Sequence, residues 1–389
     1  MTLRQHCDQL LSTATQRGDV PGLVAMAANA DGILYAGAFG RQGMAAEAAM
    51  SEDSVFWIAS MTKAITSVAA LQLVERGLLD LDAPAADVRP ELASIQVLDG
   101  FDADGNPILR APRRAMTLRH LLTHTSGFGY DIWNADIGKA AQALGIPPAG
   151  AGRIAGLHTP LLFDPGERWN YGIGIDWAGL MIESASGQRL GKYLEDNILG
   201  PLGMRSTTFS PGPELDARKA RLHHRDDAGR LAPMDLPLPA TGEFEMGGGG
   251  LYSTAPDYLQ FVRMVLNDGQ LGAARILRPE SVALLGMNHM GAHRVTPMRT
   301  AVPGFSNDAE FFPGISKAWS LAFQINREPA PTGRAAGGLM WAGIANTYYW
   351  IDPARGVGGV FMSQILPFVD IRSLPLFTAF ETAVYKALG

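Results

Sequence analysis

Short apolar segments with the pattern of strands lie towards the two ends of the chain. Residues 22–40 contain two apolar segments separated by Asn29-Ala30-Asp31-Gly32, whose Asp-Gly pair is a strong hairpin signal. Strand patterns return only in residues 318–326 and 337–364. These patterns predict one antiparallel sheet built from both ends of the chain.

Helical periodicity occupies most of the remaining sequence. We expect an amphipathic helix over residues 3–17, a long helix from Ser60 to Gly77 and a C-terminal helix over residues 373–388. Several shorter helices and loops fill the middle of the chain. The predicted fold class is therefore α+β with two lobes.

The two predicted lobes are assigned from this order of elements. Residues 1–58 and 309–389 would form an antiparallel sheet flanked by helices, and residues 59–308 would form an all-helical or mainly helical lobe. Pockets often lie where two such units meet, so we expect the active site at the seam.

Composition excludes several classes of partner and compartment. The chain has 389 residues and a net charge of −6, without the basic runs typical of proteins that bind nucleic acid or anionic membranes. The single Cys7 cannot form an intramolecular disulfide. The N-terminal segment lacks the apolar core of a secretory signal, and no apolar run is long enough to span a membrane. We expect a cytoplasmic protein, unless a signal sequence has already been removed.

Ser60 and Lys63 form the first candidate for catalysis. Residues three apart on a helix share a face, so the lysine amine can lie beside the serine hydroxyl. A serine hydroxyl becomes a good nucleophile only when a neighbouring base takes its proton. A lysine amine is ordinarily protonated at neutral pH, and burial or nearby positive charge favours the neutral amine that this role requires.

The S-x-x-K spacing of Ser60 and Lys63 also has a simpler explanation. A serine at a helix start is often only an N-cap, and the pattern is short. S-x-x-K occurs with S-D-N and K-T-G in serine β-lactamases and penicillin-binding proteins. Neither S-D-N nor K-[ST]-G is present here, whereas Tyr171 and Trp341 follow at plausible spacing.

Several longer segments extend the similarity over most of the chain. They occupy residues 58–84, 122–130, 163–176, 200–204, 247–264 and 340–353. In these segments the chain resembles the family VIII carboxylesterases of the class C β-lactamase-like superfamily. The resemblance implies the two-lobe fold described above and the activity of a serine hydrolase.

The resemblance implies a role for each residue of the catalytic group. Ser60 matches the nucleophile that becomes acylated, and Lys63 matches its partner lysine. Tyr171 matches the tyrosine that helps to move the serine proton. Which of Lys63 and Tyr171 accepts the proton stays open, because the two groups can titrate as one unit.

A second matching segment lies where β-lactamases carry K-T-G. Trp341, Ala342 and Gly343 match the W-G-G segment of the esterase family, with alanine in place of the middle glycine. The resemblance implies that these residues bind substrate. It also implies that the backbone N–H groups of Ile344 and Ser60 form the oxyanion hole.

Two departures from the β-lactamase pattern change the expected substrate. The tyrosine motif Y-x-N is here Tyr171-Gly172-Ile173, without the amide side chain. Trp341 replaces the lysine of K-T-G, so a charge-assisted contact to a lactam carboxylate is lost. We therefore expect neutral acyl esters to be preferred over lactams that bear a carboxylate.

The sequence thus predicts a serine carboxylesterase for short-chain or aromatic esters, with no cofactor and a small molecule as its partner. Tyr130, Trp133 and Trp341 are the candidate pocket residues. Three alternatives stay open: a β-lactamase or D-amino-acid peptidase, an acyltransferase that uses the same acyl-enzyme, and a non-catalytic ligand sensor. The natural ester and the oligomeric state also stay open.

Three other motifs are interpreted as structural. The histidine pairs His223-His224 and His289/His293 lack the glutamate or cysteine partners of a zinc site, so no metal is expected. His124 is expected in a turn after a helix. The glycine-rich segment 246–261 is expected to be a turn into a helix capped by Thr254, with a capping box that includes Asp257.

Overall fold

The computed structural model describes residues 2–44, 46–236 and 242–389. Its strands are β1 (Gly22–Asn29), β2 (Ile33–Gly40), β3 (Phe56–Trp57), β4 (Val97–Phe101), β5 (Pro107–Arg110), β6 (His223–Arg225), β7 (Leu231–Pro233), β8 (Tyr252–Ser253), β9 (Gln270–Leu271), β10 (Ala274–Arg275), β11 (Lys317–Trp319), β12 (Gln324–Asn326), β13 (Leu339–Gly343), β14 (Thr347–Asp352), β15 (Val357–Met362) and β16 (Ile365–Leu366). Its α-helices are α1 (Leu3–Gln16), α2 (Thr62–Glu75), α3 (Leu118–Leu122), α4 (Ala135–Leu144), α5 (Gly174–Ser186), α6 (Leu190–Leu194), α7 (Gly200–Leu202), α8 (Pro213–Ala217), α9 (Ala255–Leu266), α10 (Pro279–Leu285) and α11 (Ser373–Leu388).

A seven-stranded antiparallel sheet joins the two ends of the chain. Its strand order is β11-β12-β13-β14-β15-β1-β2. Strand β1 pairs with β15, which sets Ala27 opposite Gly359, and β1 also pairs with β2 in the predicted hairpin. In the hairpin turn, the Oδ1 atom of Asn29 accepts the N–H groups of Asp31 and Gly32. The prediction of one sheet from both ends is confirmed.

Helices cover both faces of this sheet. Tyr348 and Tyr349 are neighbours on β14, so their side chains point to opposite faces. Tyr348 stacks on Phe377 of α11 with ring centroids 4.7 Å apart, and Tyr349 contacts Tyr258 of α9 at 5.1 Å. The helix α9 lies within residues 59–308, the interval predicted as the helical lobe, yet it packs directly on the sheet. The lobe boundaries stay a prediction.

The predicted long helix begins slightly later than expected. Residues Ala59–Met61 form one 3₁₀ turn, and α2 continues from Thr62 to Glu75. Gly77 then adopts φ +70° and donates to the carbonyl of Val74 at 3.0 Å, while Leu78 donates to the carbonyl of Leu73 at 2.9 Å. This pair of bonds is a Schellman motif, which ends the helix at the predicted glycine. Nearly all of α2 is buried.

Within the described ranges, no helix combines the length and apolarity that crossing a membrane requires.

Candidate active site

Ser60 and Lys63 lie together at the start of α2. Ser60 occupies the 3₁₀ turn and Lys63 the first turn of the α-helix, so their spacing brings the side chains to one side. The Nζ atom of Lys63 lies 3.1 Å from the Oγ atom of Ser60. Lys63 is 1% exposed, which keeps its amine away from bulk water.

Lys63 has two further hydrogen-bond partners. Its Nζ atom donates to the Tyr130 hydroxyl at 3.1 Å and to the Gly248 carbonyl at 2.6 Å. Three acceptors match the three hydrogens of an ammonium group. A neutral amine has only two hydrogens, so in one of the three contacts Lys63 must accept a hydrogen bond from its partner. A carbonyl cannot donate, and only the hydroxyls of Ser60 and Tyr130 can supply that proton.

The glycine-rich segment brings the Gly248 carbonyl to Lys63. The N–H group of Gly248 donates to the Asp176 carboxylate at 2.9 Å, and the Thr66 hydroxyl donates to the Gly247 carbonyl at 2.8 Å. A Cβ atom on Gly248 would lie 2.5 Å from the Asp176 Oδ2 atom, so a larger residue would displace this carboxylate or the backbone. Burial raises the pKa of Asp176, and the attraction of Lys63 opposes this shift.

The interpretation of this segment as a turn into a helix holds, with one difference. Thr254 caps α9 by accepting the N–H of Asp257 at 3.3 Å. The Asp257 carboxylate does not close the expected capping box; it accepts from the Ser206 N–H and the Thr207 hydroxyl instead. The contact of Gly248 with Lys63 and Asp176 was not predicted, although four consecutive glycines signal a close backbone approach.

Tyr130 was predicted to line the pocket, and the structure places it in direct contact with Lys63. Burial raises the pKa of Tyr130 well above its ordinary value, and the negative charge of Asp176 adds to this shift. The side chain is therefore a neutral phenol at physiological pH, able both to accept and to donate a hydrogen bond.

Tyr171 lies beside Tyr130, with ring centroids 5.4 Å apart, and also contacts the lysine. Its ring centroid is 4.8 Å from the Nζ atom of Lys63, and the residue is 3% exposed. The hydroxyl of Tyr171 accepts a hydrogen bond from the Nε1 atom of Trp341 at 3.0 Å. The structure thus brings Tyr171 to the site, with its hydroxyl oriented by the indole.

An aromatic wall surrounds these groups. Trp341 packs edge-on against Trp319, with ring centroids 4.6 Å apart, and is 2% exposed. Trp133 lies edge-on to Tyr130 at 5.9 Å and to Tyr171 at 5.5 Å. The indole N–H of Trp133 donates to the Ser306 hydroxyl at 2.9 Å, which fixes the ring. Both predicted tryptophans therefore lie beside the tyrosines.

The end of β13 approaches the chain just before Ser60. Ala342 is buried and pairs with Tyr348 of β14. A Cβ atom on Gly343 would lie 2.3 Å from the carbonyl oxygen of Ile58, so the strand passes this backbone without room for a side chain. Ile344 follows directly in the turn after β13. The proposed oxyanion residues are therefore on adjoining segments.

Comparison with known proteins identifies the family. The family model described as beta-lactamase matches residues 7–379. The chain belongs to the beta-lactamase family. The superfamily resemblance seen in the sequence and the predicted fold class are thereby confirmed, and the chain is a serine hydrolase-type enzyme.

Two relatives of this protein are named for different acyl chemistry. Monacolin J acid methylbutanoyltransferase of Aspergillus terreus is 33% identical, over 96% of this chain and 93% of the relative. Lovastatin esterase of Penicillium rubens is 32% identical, over 97% of this chain and 98% of the relative. A solved structure of a simvastatin synthase mutant from Aspergillus terreus superposes with a TM-score of 0.86 at 31% identity, covering 98% of this chain and 96% of the other.

His124, which the sequence indicated only as a turn residue, lies beside Tyr171. It follows α3 with φ +57°, and its ring lies 4.7 Å from that of Tyr171. Burial lowers the pKa of His124 well below its ordinary value, and the positive charge of Lys63 adds to this. The imidazole is therefore neutral and packs against the ring of Tyr171.

The two histidines of the His289/His293 pair have protein partners. The Nε2 atom of His289 lies 3.0 Å from the Leu284 carbonyl, and that of His293 lies 3.0 Å from the Gly166 carbonyl. Among residues 2–44, 46–236 and 242–389, no group of three or more metal-ligating side chains comes together.

Proposed function

We propose that this member of the beta-lactamase family is a serine carboxylesterase of the family VIII type, which hydrolyses neutral esters through an acyl-enzyme on Ser60. The 3.1 Å contact between a buried Lys63 and the Ser60 hydroxyl carries the proposal. All three hydrogen-bond partners of Lys63 in the described part of the chain are uncharged oxygen atoms. The proposed mechanism requires the neutral amine of Lys63, the form that can accept a proton.

In the proposed reaction, the Ser60 oxygen attacks the ester carbonyl while its proton passes to Lys63. Tyr130 and Tyr171 border the lysine and would return the proton to the leaving alkoxide. The N–H groups of Ser60 and Ile344 would hold the oxyanion of the tetrahedral intermediate. Water then attacks the acyl-enzyme, the Ser60–acyl bond breaks and the carboxylic acid leaves.

The aromatic wall supports neutral esters with short or aromatic acyl groups as substrates. Trp341 offers an apolar surface where a β-lactamase would place a cation, and Trp133 and Tyr130 continue that surface. A substrate carboxylate would find no charge-assisted partner on these rings. A small-molecule ester as the partner and a cytoplasmic location stay predictions from the sequence.

An acyltransferase is the second candidate function, and a specific observation favours it. One relative is a methylbutanoyltransferase, and the superposed structure is a synthase. Another relative of similar identity is an esterase, so hydrolysis and acyl transfer both occur among the relatives. The difference lies in whether water or an alcohol attacks the acyl group.

A panel of p-nitrophenyl acyl esters beside a chromogenic cephalosporin tests the proposal. We expect turnover of the short esters to exceed that of the cephalosporin, and Ser60→Ala to abolish ester turnover. Ser67→Ala is the matched control, because Ser67 is buried on the same helix and its hydroxyl has no partner among the described residues. Ester turnover that survives Ser60→Ala would exclude the mechanism.

Adding an alcohol acceptor to the same assay separates the two functions. A transferase would form the new ester faster than the free acid when the alcohol is present. An esterase would release mainly the free acid under the same conditions. Product ratios from chromatography therefore decide between the two candidates.

A further inference from the structure

Asn346 occupies the turn between β13 and β14, two residues after the proposed oxyanion residue Ile344. It is fully buried and adopts φ +59°, a left-handed conformation that asparagine tolerates better than most side chains. Its backbone N–H donates to the Gly343 carbonyl at 3.0 Å, which closes the turn.

The amide side chain of Asn346 is fully hydrogen-bonded. Its Nδ2 atom donates to the carbonyls of Ile365 at 2.7 Å and Pro367 at 2.8 Å. Its Oδ1 atom accepts from the N–H of Asp370 at 3.0 Å and from the Tyr348 hydroxyl. Two donors and two acceptor positions are thus all used, which holds the turn on the segment 363–370.

Backbone contacts strengthen the same attachment. The Ser363 hydroxyl donates to the Asn346 carbonyl at 2.9 Å, and the Ile365 N–H donates to the Ala345 carbonyl at 3.0 Å. The turn on which Ile344 lies therefore has little freedom to move away from segment 363–370.

Segment 363–370 is itself firmly anchored. The Asp370 carboxylate forms a buried ion pair with Arg225 at 2.5 Å and accepts the N–H and hydroxyl of Ser373 at the start of α11. On its other side, the turn meets the backbone of Ile58, two residues before Ser60. Asn346 thus fixes the turn between a rigid anchor and the nucleophile.

We propose that Asn346 is a positioning residue, whose amide holds the Ile344 N–H at the place where the oxyanion forms. This inference rests on the proposed function. No sequence pattern indicates this role, since Asn346 lies inside the predicted strand region 337–364. Loss of its two donors would leave the Ile365 and Pro367 carbonyls unpaired and free the turn.

The test compares two isosteric substitutions, Asn346→Asp and Asn326→Asp. Asn326 is also fully buried, and its Nδ2 atom likewise donates to two carbonyls, those of Glu328 and Ala335. It lies on β12, and its N–H donates to the Gly338 carbonyl just before β13 begins. Asn326 is therefore at the opposite end of β13 from Gly343. Each substitution removes the two hydrogen bonds that an amide Nδ2 atom donates. Only Asn346→Asp does so at the turn between β13 and β14.

Phenylboronic acid is the probe, because it forms a tetrahedral adduct with a serine hydroxyl that resembles the intermediate. We expect Asn346→Asp to raise its Kd and to lower kcat for p-nitrophenyl acetate, each by about tenfold or more, while KM changes little. Asn326→Asp should lower the melting temperature but leave both values within about twofold of wild type.

Unchanged phenylboronic acid affinity and kcat in Asn346→Asp would overturn the inference and leave the proposed function standing. Ester turnover and probe binding that survive Ser60→Ala would overturn both together. If Asn346→Asp fails to fold, Asn346→Gly keeps the left-handed backbone without the amide, and the same criteria apply.

Discussion

The Nζ atom of Lys63 lies as close to the hydroxyl oxygen of Tyr130 as to that of Ser60, at 3.1 Å in each case. The two hydroxyls are therefore equivalent candidates for proton exchange with the lysine. Tyr171, which the family resemblance marks as the proton-transfer tyrosine, instead has its hydroxyl bonded by Trp341. This arrangement predicts that two tyrosines contribute to the reaction.

Tyr130→Phe should lower kcat for p-nitrophenyl acetate by about 10²-fold or more, because it removes a hydroxyl that bonds Lys63 and that the proposed mechanism uses for proton transfer. Tyr193→Phe is the control. It removes a buried hydroxyl that bonds Gln72 of the same helix, α2, at 3.2 Å. A change of less than about twofold in Tyr130→Phe, measured by steady-state kinetics, would remove this tyrosine from the mechanism.

Trp341→Phe tests whether the indole orients Tyr171. The phenyl ring keeps an apolar wall but cannot donate to the Tyr171 hydroxyl. We expect kcat to fall by about tenfold, the worth of one hydrogen bond, while KM for a neutral ester changes by less than about threefold. A raised KM with unchanged kcat would show that Trp341 only lines the pocket.

Gly248→Ala should destabilise the enzyme by about 1–3 kcal/mol and lower its activity, because overpacking displaces the backbone that holds Lys63. The added Cβ would lie 2.5 Å from the Asp176 carboxylate, whereas a Cβ on the adjacent Gly249 meets its nearest atom at 3.9 Å. Gly249→Ala is therefore the matched control. Chemical denaturation and ester assays measure both effects, and equal stability of the two variants would contradict the account.

Asp176→Asn should become progressively more stabilising as pH rises above 4. Burial raises the pKa of Asp176, so the folded state keeps a proton that the unfolded carboxyl releases near pH 4. The folded state then binds more protons, and the free energy of unfolding falls as pH rises through this window. The amide still accepts the Gly248 N–H but does not titrate.

Melting temperatures between pH 4 and pH 8 measure this effect. The difference between Asp176→Asn and wild type should increase with pH. A difference that decreases with pH would mean that attraction to Lys63 outweighs burial.

Local sequence was enough to predict the elements that lie close together along the chain. Ser60 and Lys63 share one helical turn, and the β1–β2 hairpin has its signal in four consecutive residues. The sheet could be predicted because strand patterns occur only at the two ends of the long chain. These features depend on periodicity and turn chemistry, which a sequence shows directly.

The contacts of Lys63 with Tyr130 and Gly248 could not be predicted in the same way. They join residues separated by 67 and 185 positions, and no local pattern encodes the packing that brings them together. The resemblance indicated Tyr171 and Trp341 as site residues, but the bond between their side chains depends on the register of β13 beside the helical segment.

The covalent intermediate tests the central claim most directly. The enzyme is mixed with p-nitrophenyl acetate, quenched in acid within the first turnover, digested and examined by mass spectrometry. We predict one acetyl group on the hydroxyl of Ser60, and none at this position in Ser60→Ala. Acetylation of a different residue during turnover, with Ser60 unmodified, would contradict the account.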